Sequence, residues 1–199
     1  KNIFKFIEKA VYRKSKLVHF ISDFSKKESL YDENNFIIVN NTTPLEQVKL
    51  KFEKEFWSSK KIKIFTVRSI EERVNIDLLI ELAQKNSNFE IKVSGKGPLL
   101  EKYRKKIKDK KLDNIELMGF LGDEKIRQYY NSCDIVTVLA KYGEGFGLPI
   151  IEGYLHNKPV FASNVSAIPE IIIDKKFLLN NTVTDLENKI QNYLKESKN

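Results

Sequence analysis

Two carboxylates with seven residues between them, Glu144 and Glu152, flank a glycine turn in the stretch YGEGFGLPIIEGYLHNKPVFAS at 142–163. Gly145 and Gly147 permit a turn whose backbone N–H groups approach a ligand closely. Pro149 fits the first turn of a helix, where its missing N–H costs nothing. The segment therefore predicts a loop and then a helix N-terminus, with one acid before the turn and one inside the helix. Free amides at a helix N-terminus form an anion site. A carboxylate is a poor phosphate ligand but a good acceptor of hydroxyl hydrogen bonds. Phosphate on the amides and sugar hydroxyls on the two acids together describe a nucleotide-sugar. The same residues, taken alone, also fit a solvated helix glutamate beside a plain turn. The proline and the strand-like KPVFAS that follows favour the site.

Such a loop needs a rigid sheet to hold it, and the surrounding chain reads as one. After Lys60, strand and helix signals alternate. IKIFTV (62–67), FEIKVSG (89–95), NIELMGF (114–120), DIVTVLA (134–140) and PVFAS (159–163) are strand-like. VNIDLLIELAQK (74–85), PLLEKYRKKIK (98–108), DEKIRQYYNS (123–132), the segment 148–156 and TDLENKIQNYLKES (184–197) have helical spacing. Asp123 is the expected N-cap of its helix. This alternation predicts an α/β fold with a Rossmann-like, doubly wound parallel sheet covered on both faces. Ligands on such sheets bind at the carboxyl ends of the strands. Residues 1–59 read differently. KFIEKAVYRKS is an amphipathic helix with Phe6, Ala10 and Val11 on one side. LVHFIS (17–22) is a strand, SDFSKKESL starts a helix, and FIIVNN (36–41) is a strand that leads to a break at Pro44.

Composition bounds the rest. The chain has 199 residues, 41% of them hydrophobic, a single cysteine and a formal net charge of +8. That fits one domain, or one domain plus a fragment. One cysteine excludes an internal disulfide framework and suits a reducing, cytoplasmic setting. Cys133 sits in NSCDIV at a helix-to-strand junction and reads as core rather than nucleophile. Neither His19 nor His156 has a partner at zinc spacing. No apolar run approaches the roughly 20 residues that span a bilayer, and no stretch reads as a signal peptide. The chain opens on a lysine, as a fragment would. The positive charge is compatible with nucleic acid, an acidic membrane or a phosphorylated substrate. Its lysines are interleaved with acids, as in EKYRKKIKDKK, and no nucleic-acid module is recognisable.

The segment 142–163 resembles the Glu-x7-Glu signature of glycosyltransferase family 4, a group of retaining enzymes with the two-lobed GT-B fold. The resemblance runs from about Leu17 to the C-terminus. It implies that Glu144 sits beside the donor sugar, that the amides of Gly145, Phe146 and Gly147 meet the diphosphate, and that Leu148 belongs to the donor-binding set. It also implies that Glu152 holds the ribose hydroxyls. Arg68 follows the first donor-lobe strand, and Arg73 lies five positions on. The family usually has Gly-Arg and then Lys here; this chain has Val67 before Arg68, and Arg73 in place of Lys. The resemblance makes the two cations stabilise the leaving diphosphate, and guanidinium keeps the charge while changing the geometry. The alternative is a surface pair matched to Glu71 and Glu72. Gly95 and Gly97, in the turn GKGP, would line the nucleotide cleft or simply form a tight turn. Leu100 breaks any dinucleotide fingerprint there. Gly119, Phe120 and Leu121 match the family segment that meets the base, although Phe120 also suits a core. In SAIPEII (166–172), Ser166 and Ala167 stand where the family often has two glycines, a departure that bears on the edge of the donor site, and Glu170 keeps its place in the pattern. The Asp-x-Asp pattern of the other glycosyltransferase fold is missing, so no metal or cofactor is implied.

On this resemblance, residues 1–45 are the end of an acceptor lobe with the start of a linker. Residues 46–199 form the nucleotide-sugar-binding domain. The expected activity moves a hexose from a UDP-, GDP- or ADP-sugar to a polysaccharide, lipid-linked or protein acceptor, with retention. The departing phosphate, not a protein base, would deprotonate the acceptor. Two rivals are a nucleotide-binding module that needs a partner lobe and a nucleotide-sugar epimerase. From Lys1 to Glu28, eight Lys and Arg stand against three acids, a net of +5. That charge, with Ile3, Phe4 and Phe6, suits the anionic inner face of a membrane. For the apolar residues the favoured alternative is packing on the rest of the acceptor lobe, and the charge suits the membrane either way.

Overall fold

The computed structural model describes residues 2–43 and 61–197, so the Pro44 break and the boundary at residues 45 and 46 lie outside the described residues. The N-terminal segment comprises α1 (Asn2–Lys14), β1 (Val18–Phe20), α2 (Asp23–Glu28) and β2 (Phe36–Ile38). β1 and β2 pair in parallel as a two-stranded sheet. The apolar runs LVHFIS and FIIVNN are longer than these strands. Only three residues of each find a ladder partner, and a backbone without ladder bonds is not held extended.

The second unit is a six-stranded parallel sheet. Its strands are β3 (Ile62–Val67), β4 (Phe89–Ser94), β5 (Ile115–Gly119), β6 (Ile135–Val138), β7 (Val160–Ser163) and β8 (Leu178–Leu179). Their spatial order is β5-β4-β3-β6-β7-β8. The chain winds outward from β3 in one direction, then returns to β6 and winds outward in the other. The switch point lies between β3 and β6, and a crevice opens there above the strand ends.

Side chains alternate across each strand. Ile64, Ile91, Val93 and Ile135 point into one core with Leu79 and Ile80 of α3 (Ile76–Lys85). Tyr103 and Ile107 of α4 (Leu100–Asp109), and Leu186 and Ile190 of α8 (Val183–Glu196), complete that layer. Phe65, Val136, Val138 and Ala162 point the other way. They meet Tyr130 of α5 (Asp123–Ser132), Ile150 of α6 (Leu148–Leu155) and Ile168 of α7 (Ile168–Ile171). A sheet buried on both faces reads as continuous apolar runs, which is why β3 is recognisable at its full length.

Some expectations change. Gly122, not Asp123, is the N-cap of α5; Asp123 is the first helical residue, where its carboxylate still faces the positive end of the helix. α7, a single 3-10 turn at Lys175–Phe177 and the two-residue β8 carry too few residues to show a period. Cys133 is buried core, as expected, and burial pushes its thiol up to about 12. In α1, Phe4 and Phe6 are each 74% exposed and Val11 is also exposed, so within the described residues this apolar side is uncovered.

Two glycines at the end of β4 let its turn lie directly against the end of β3. A Cβ on Gly95 would sit 1.8 Å from the Arg68 carbonyl oxygen, and one on Gly97 would sit 2.2 Å from that of Ile70. The obstacle at Gly95 is backbone, which no rotamer change relieves. Gly95→Ala is expected to cost at least ~2 kcal/mol, read as a lower urea midpoint. Gly122→Ala meets nothing within 4 Å and is expected to cost under ~1 kcal/mol at its N-cap position.

Candidate functional site

Above the switch point lies a cavity of about 600 Å3. The ends of β3, β4 and β5 supply Arg68, Gly95 and Phe120, and the loop after β6 supplies Glu144, Gly145, Phe146 and Gly147. α6 adds Leu148, Pro149 and Glu152, and the N-terminal segment adds Ile21 and Asn41.

The strongest electrostatic feature joins the ends of β3 and β6. Arg68 Nη2 donates to Glu144 Oε2 at 2.5 Å, and Arg73 Nη1 donates to the same oxygen at 3.2 Å. Arg73 Nε also donates to Glu71 Oε1 at 2.9 Å. The alternative of a surface pair therefore describes part of Arg73 but not Arg68, which is 6% exposed. Glu144 is 8% exposed. Burial raises its carboxyl, but Arg68 and Arg73 together outweigh burial and hold it below the ordinary range. Arg68 Nε is buried without a partner among the described residues, so this guanidinium has a donor to spare.

The loop between the two acids is anchored largely through its carbonyls. Ser22 Oγ donates to the Gly145 carbonyl at 2.8 Å, and the Ala167 amide donates to the Glu144 carbonyl at 3.1 Å. Gly147 has φ 87°, a left-handed value that glycine adopts without steric cost. It caps α6 with no side-chain hydrogen bond, and Pro149 follows in the first turn. Pro149 offers no amide and the Ile150 amide donates to the Gly147 carbonyl at 2.8 Å, which leaves the Leu148 amide without an acceptor in its own helix, at the helix's positive end.

Glu152 is half-buried and is not merely a solvated helix residue. Tyr130 Oη donates to its Oε2 at 2.7 Å, and Thr43 Oγ1 donates to its Oε1 at 3.2 Å. Phe120 is 65% exposed, which removes the core reading, and Lys96 Nζ lies 4.3 Å from its ring centre. The structure thus brings together Arg68, Arg73, Gly95, Phe120, Glu144, Gly145, Phe146, Gly147, Leu148 and Glu152 around one cavity. Gly97 and Leu121 do not line it. Gly97 packs on the Ile70 backbone and serves the turn.

Glu170 serves the N-terminal segment. Its Oε2 and Oε1 accept the amides of Asp23 and Phe24 at 2.9 and 2.7 Å, so it caps α2 of the N-terminal segment. Ser166 has φ 55°, a left-handed value at one of the positions where the resembled family often has glycine. Its hydroxyl accepts the Gly143 amide at 2.9 Å, a bond that glycine cannot make. Sequence reasoning left out Ile21, Asn41, Val67, Ser69, Lys96 and Pro149 as lining residues. Ser69 and Lys96 follow the ends of β3 and β4, and the strand-end rule alone points to them. Among the described residues no group of three or more His, Cys, Asp and Glu can hold a metal ion. No helix there is long and apolar enough to cross a membrane.

A parallel sheet in this order, with a crevice at its switch point, defines a Rossmann-like fold. Residues 47–199 match the family model of glycosyl transferases group 1, and the chain belongs to that family. It is 33% identical over 99 residues to an uncharacterised glycosyltransferase of Methanocaldococcus jannaschii, covering 50% of this chain and 28% of the relative. It is 26% identical over 196 residues to the poly(ribitol-phosphate) alpha-N-acetylglucosaminyltransferase of Staphylococcus aureus strain COL, covering 94% and 39%. Among solved structures, Anabaena HepE in complex with UDP and glucose superposes with a TM-score of 0.80 at 16% identity, over 98% of this chain and 57% of that one. The sucrose-phosphate synthase of Thermosynechococcus elongatus gives 0.81 at 20% identity, over 98% and 53%. The fold is that of GT-B glycosyltransferases. The chain spans well under half the length of the curated relatives it matches here.

The Arg68–Glu144 pair has two measurable consequences. Arg68→Ala leaves a buried carboxylate with only Arg73, and is expected to cost on the order of 3 kcal/mol in urea unfolding near pH 7. The Glu144 carboxyl is held below its ordinary 4.5 in the folded chain. Its stabilisation is therefore complete above that ordinary value and is lost as pH falls through the lower folded value. Glu144→Gln should flatten the acid limb of the stability curve below about pH 4.5 without adding a new transition above it.

Proposed function

We propose that this chain is the donor-binding part of a retaining glycosyltransferase of family 4. It would transfer a hexose from a UDP-, GDP- or ADP-sugar to a polysaccharide, lipid-linked or protein acceptor. The observation that carries this reading is the single cavity holding two differently supported acids, Glu144 on two guanidiniums and Glu152 on hydroxyl donors, with the start of α6 between them.

In this reading Glu152 accepts the ribose hydroxyls, and the amides from Gly145 to Leu148 receive the diphosphate. Arg68 and Arg73 neutralise the charge that develops as the bond between the anomeric carbon and the phosphate oxygen breaks. The acceptor oxygen bonds to that carbon, and its proton passes to the departing diphosphate. Glu144 lies beside the sugar. HepE, a structural neighbour solved in complex with UDP and glucose, supports this donor class. Family membership supports transfer over either an epimerase or a simple binding module. We place the boundary at residues 45 and 46, with an acceptor lobe contributing residues 1–45, and expect turnover only when that lobe is complete. The basic α1 segment is proposed to face anionic lipid on the cytoplasmic side. Co-sedimentation of the complete protein with anionic but not neutral vesicles at low salt is the expected result.

Calorimetry with UDP, GDP and ADP tests the nucleotide reading. Measurable heat with at least one of them, and no sugar turnover by this chain alone, is expected. No heat with any would overturn the reading. Glu152→Ala removes one or two hydrogen bonds to a charged group, worth about 1.5–3 kcal/mol each. Affinity should fall at least about tenfold with the fold intact. Arg73→Ala should weaken the nucleoside diphosphate far more than the matching nucleoside; equal loss of both would signal damage to the fold instead.

A further inference from the structure

Glu152 projects from a helix and has three rotatable bonds, so its own backbone does not fix where its two oxygens point. Accepting a pair of vicinal hydroxyls requires those oxygens to hold one orientation. The structure supplies the constraint from a different helix. Tyr130 of α5 is fully buried, and its hydroxyl donates to Glu152 Oε2 at 2.7 Å. Its ring cannot easily shift. Phe65 of β3 meets it edge-on at 5.1 Å and 84°, and His156 stacks on it at 5.1 Å and 22°. His156 in turn holds the Glu152 backbone, with Nδ1 2.7 Å from that carbonyl oxygen. Burial first, and Glu152 next, push the Tyr130 phenol well above its ordinary 10, so it remains a proton donor throughout the working pH range. Oε2 is therefore tied to the core, Oε1 takes Thr43 Oγ1, and Glu152 lines the cavity.

We propose that Tyr130 is a positioning residue for donor recognition. Its hydroxyl sets the Glu152 carboxylate in the orientation that accepts the ribose hydroxyls of the nucleotide. The inference rests on the proposed role of Glu152 and assigns Tyr130 no contact with the nucleotide. A competing explanation runs the other way, with Glu152 merely satisfying a buried phenol, and the two differ in what the ribose feels.

Tyr130→Phe keeps the ring packing and removes one oxygen. Calorimetry compares this variant, Glu152→Ala and the parent chain, using whichever of UDP, GDP and ADP the parent binds and its 2′,3′-dideoxy form. Tyr130→Phe is expected to weaken the ribonucleotide about five- to tenfold and to change the dideoxy form by less than about twofold. Thermal unfolding confirms that the variant is folded. Equal ribonucleotide affinity in parent and Tyr130→Phe, with Glu152→Ala impaired, overturns the inference and leaves the nucleotide reading standing. Equal weakening of both nucleotide forms makes Tyr130 a purely structural residue and overturns it too. If the parent binds none of the three nucleotides, the proposed function fails and this inference fails with it.

Discussion

The arrangement of the site depends on one buried ion pair at the switch point of the sheet. Arg68 leaves the end of β3, and Glu144 lies in the loop that follows β6, the adjacent strand. Removing both charges from water is expensive, and the attraction between them offsets that cost only with good geometry and further hydrogen bonds. Here Arg73 adds a second cation to the same carboxylate oxygen. The pair is thus better understood as a positional constraint than as a source of net stability. It fixes the loop to the strand end, and Arg68 Nε stays buried without a partner among the described residues. An incoming diphosphate would meet cations already oriented, so little reorganisation is needed when it binds.

The N-terminal segment is part of this arrangement rather than an appendage to it. Ser22 is the N-cap of α2, and the same hydroxyl donates to the Gly145 carbonyl. Glu170, from α7, accepts the first two amides of α2. One carboxylate thereby satisfies two donors that a short helix leaves open, and its charge suits the positive helix end. The loop that carries Glu144 is held between α2 and α7. Ile21 and Asn41, on either side of this contact, complete the wall of the cavity. The loop that carries Glu144 and the N-terminal residues that wall the cavity are therefore mechanically linked.

What was legible in the sequence follows from how local each cause is. β3 and α5 match their expected spans because a strand buried on both faces and a helix with clear spacing announce themselves within ten residues. The glycine turn and Pro149 were legible because backbone geometry forces those residue types. The roles of Tyr130 and Glu170 were not, since each is defined by a partner far along the chain. Gly97 is the opposite case. Its type suits both a tight turn and a ligand cradle, and its close approach to the Ile70 backbone, which accounts for the turn, lies far outside its local sequence. β8 left no signal because two residues cannot display a period.

The two acids share a chemistry but not an environment, and the environments divide their labour. Both guanidinium bonds to Glu144 fall on Oε2, so its charge is committed to cations and its carboxyl is held below the ordinary range. A carboxylate so stabilised is a weak base. It is poorly suited to removing a proton from an acceptor hydroxyl, which agrees with the proposal that the departing phosphate takes that proton. Glu152 has hydroxyl partners on both oxygens, Tyr130 on Oε2 and Thr43 on Oε1. Hydroxyl donors are what a ribose presents, so this acid already sits in the kind of hydrogen-bond environment it is proposed to offer the ligand. The donor would therefore be oriented by contrast, with its anionic and reacting end toward the cation-bound acid and its neutral diol toward the hydroxyl-bound one.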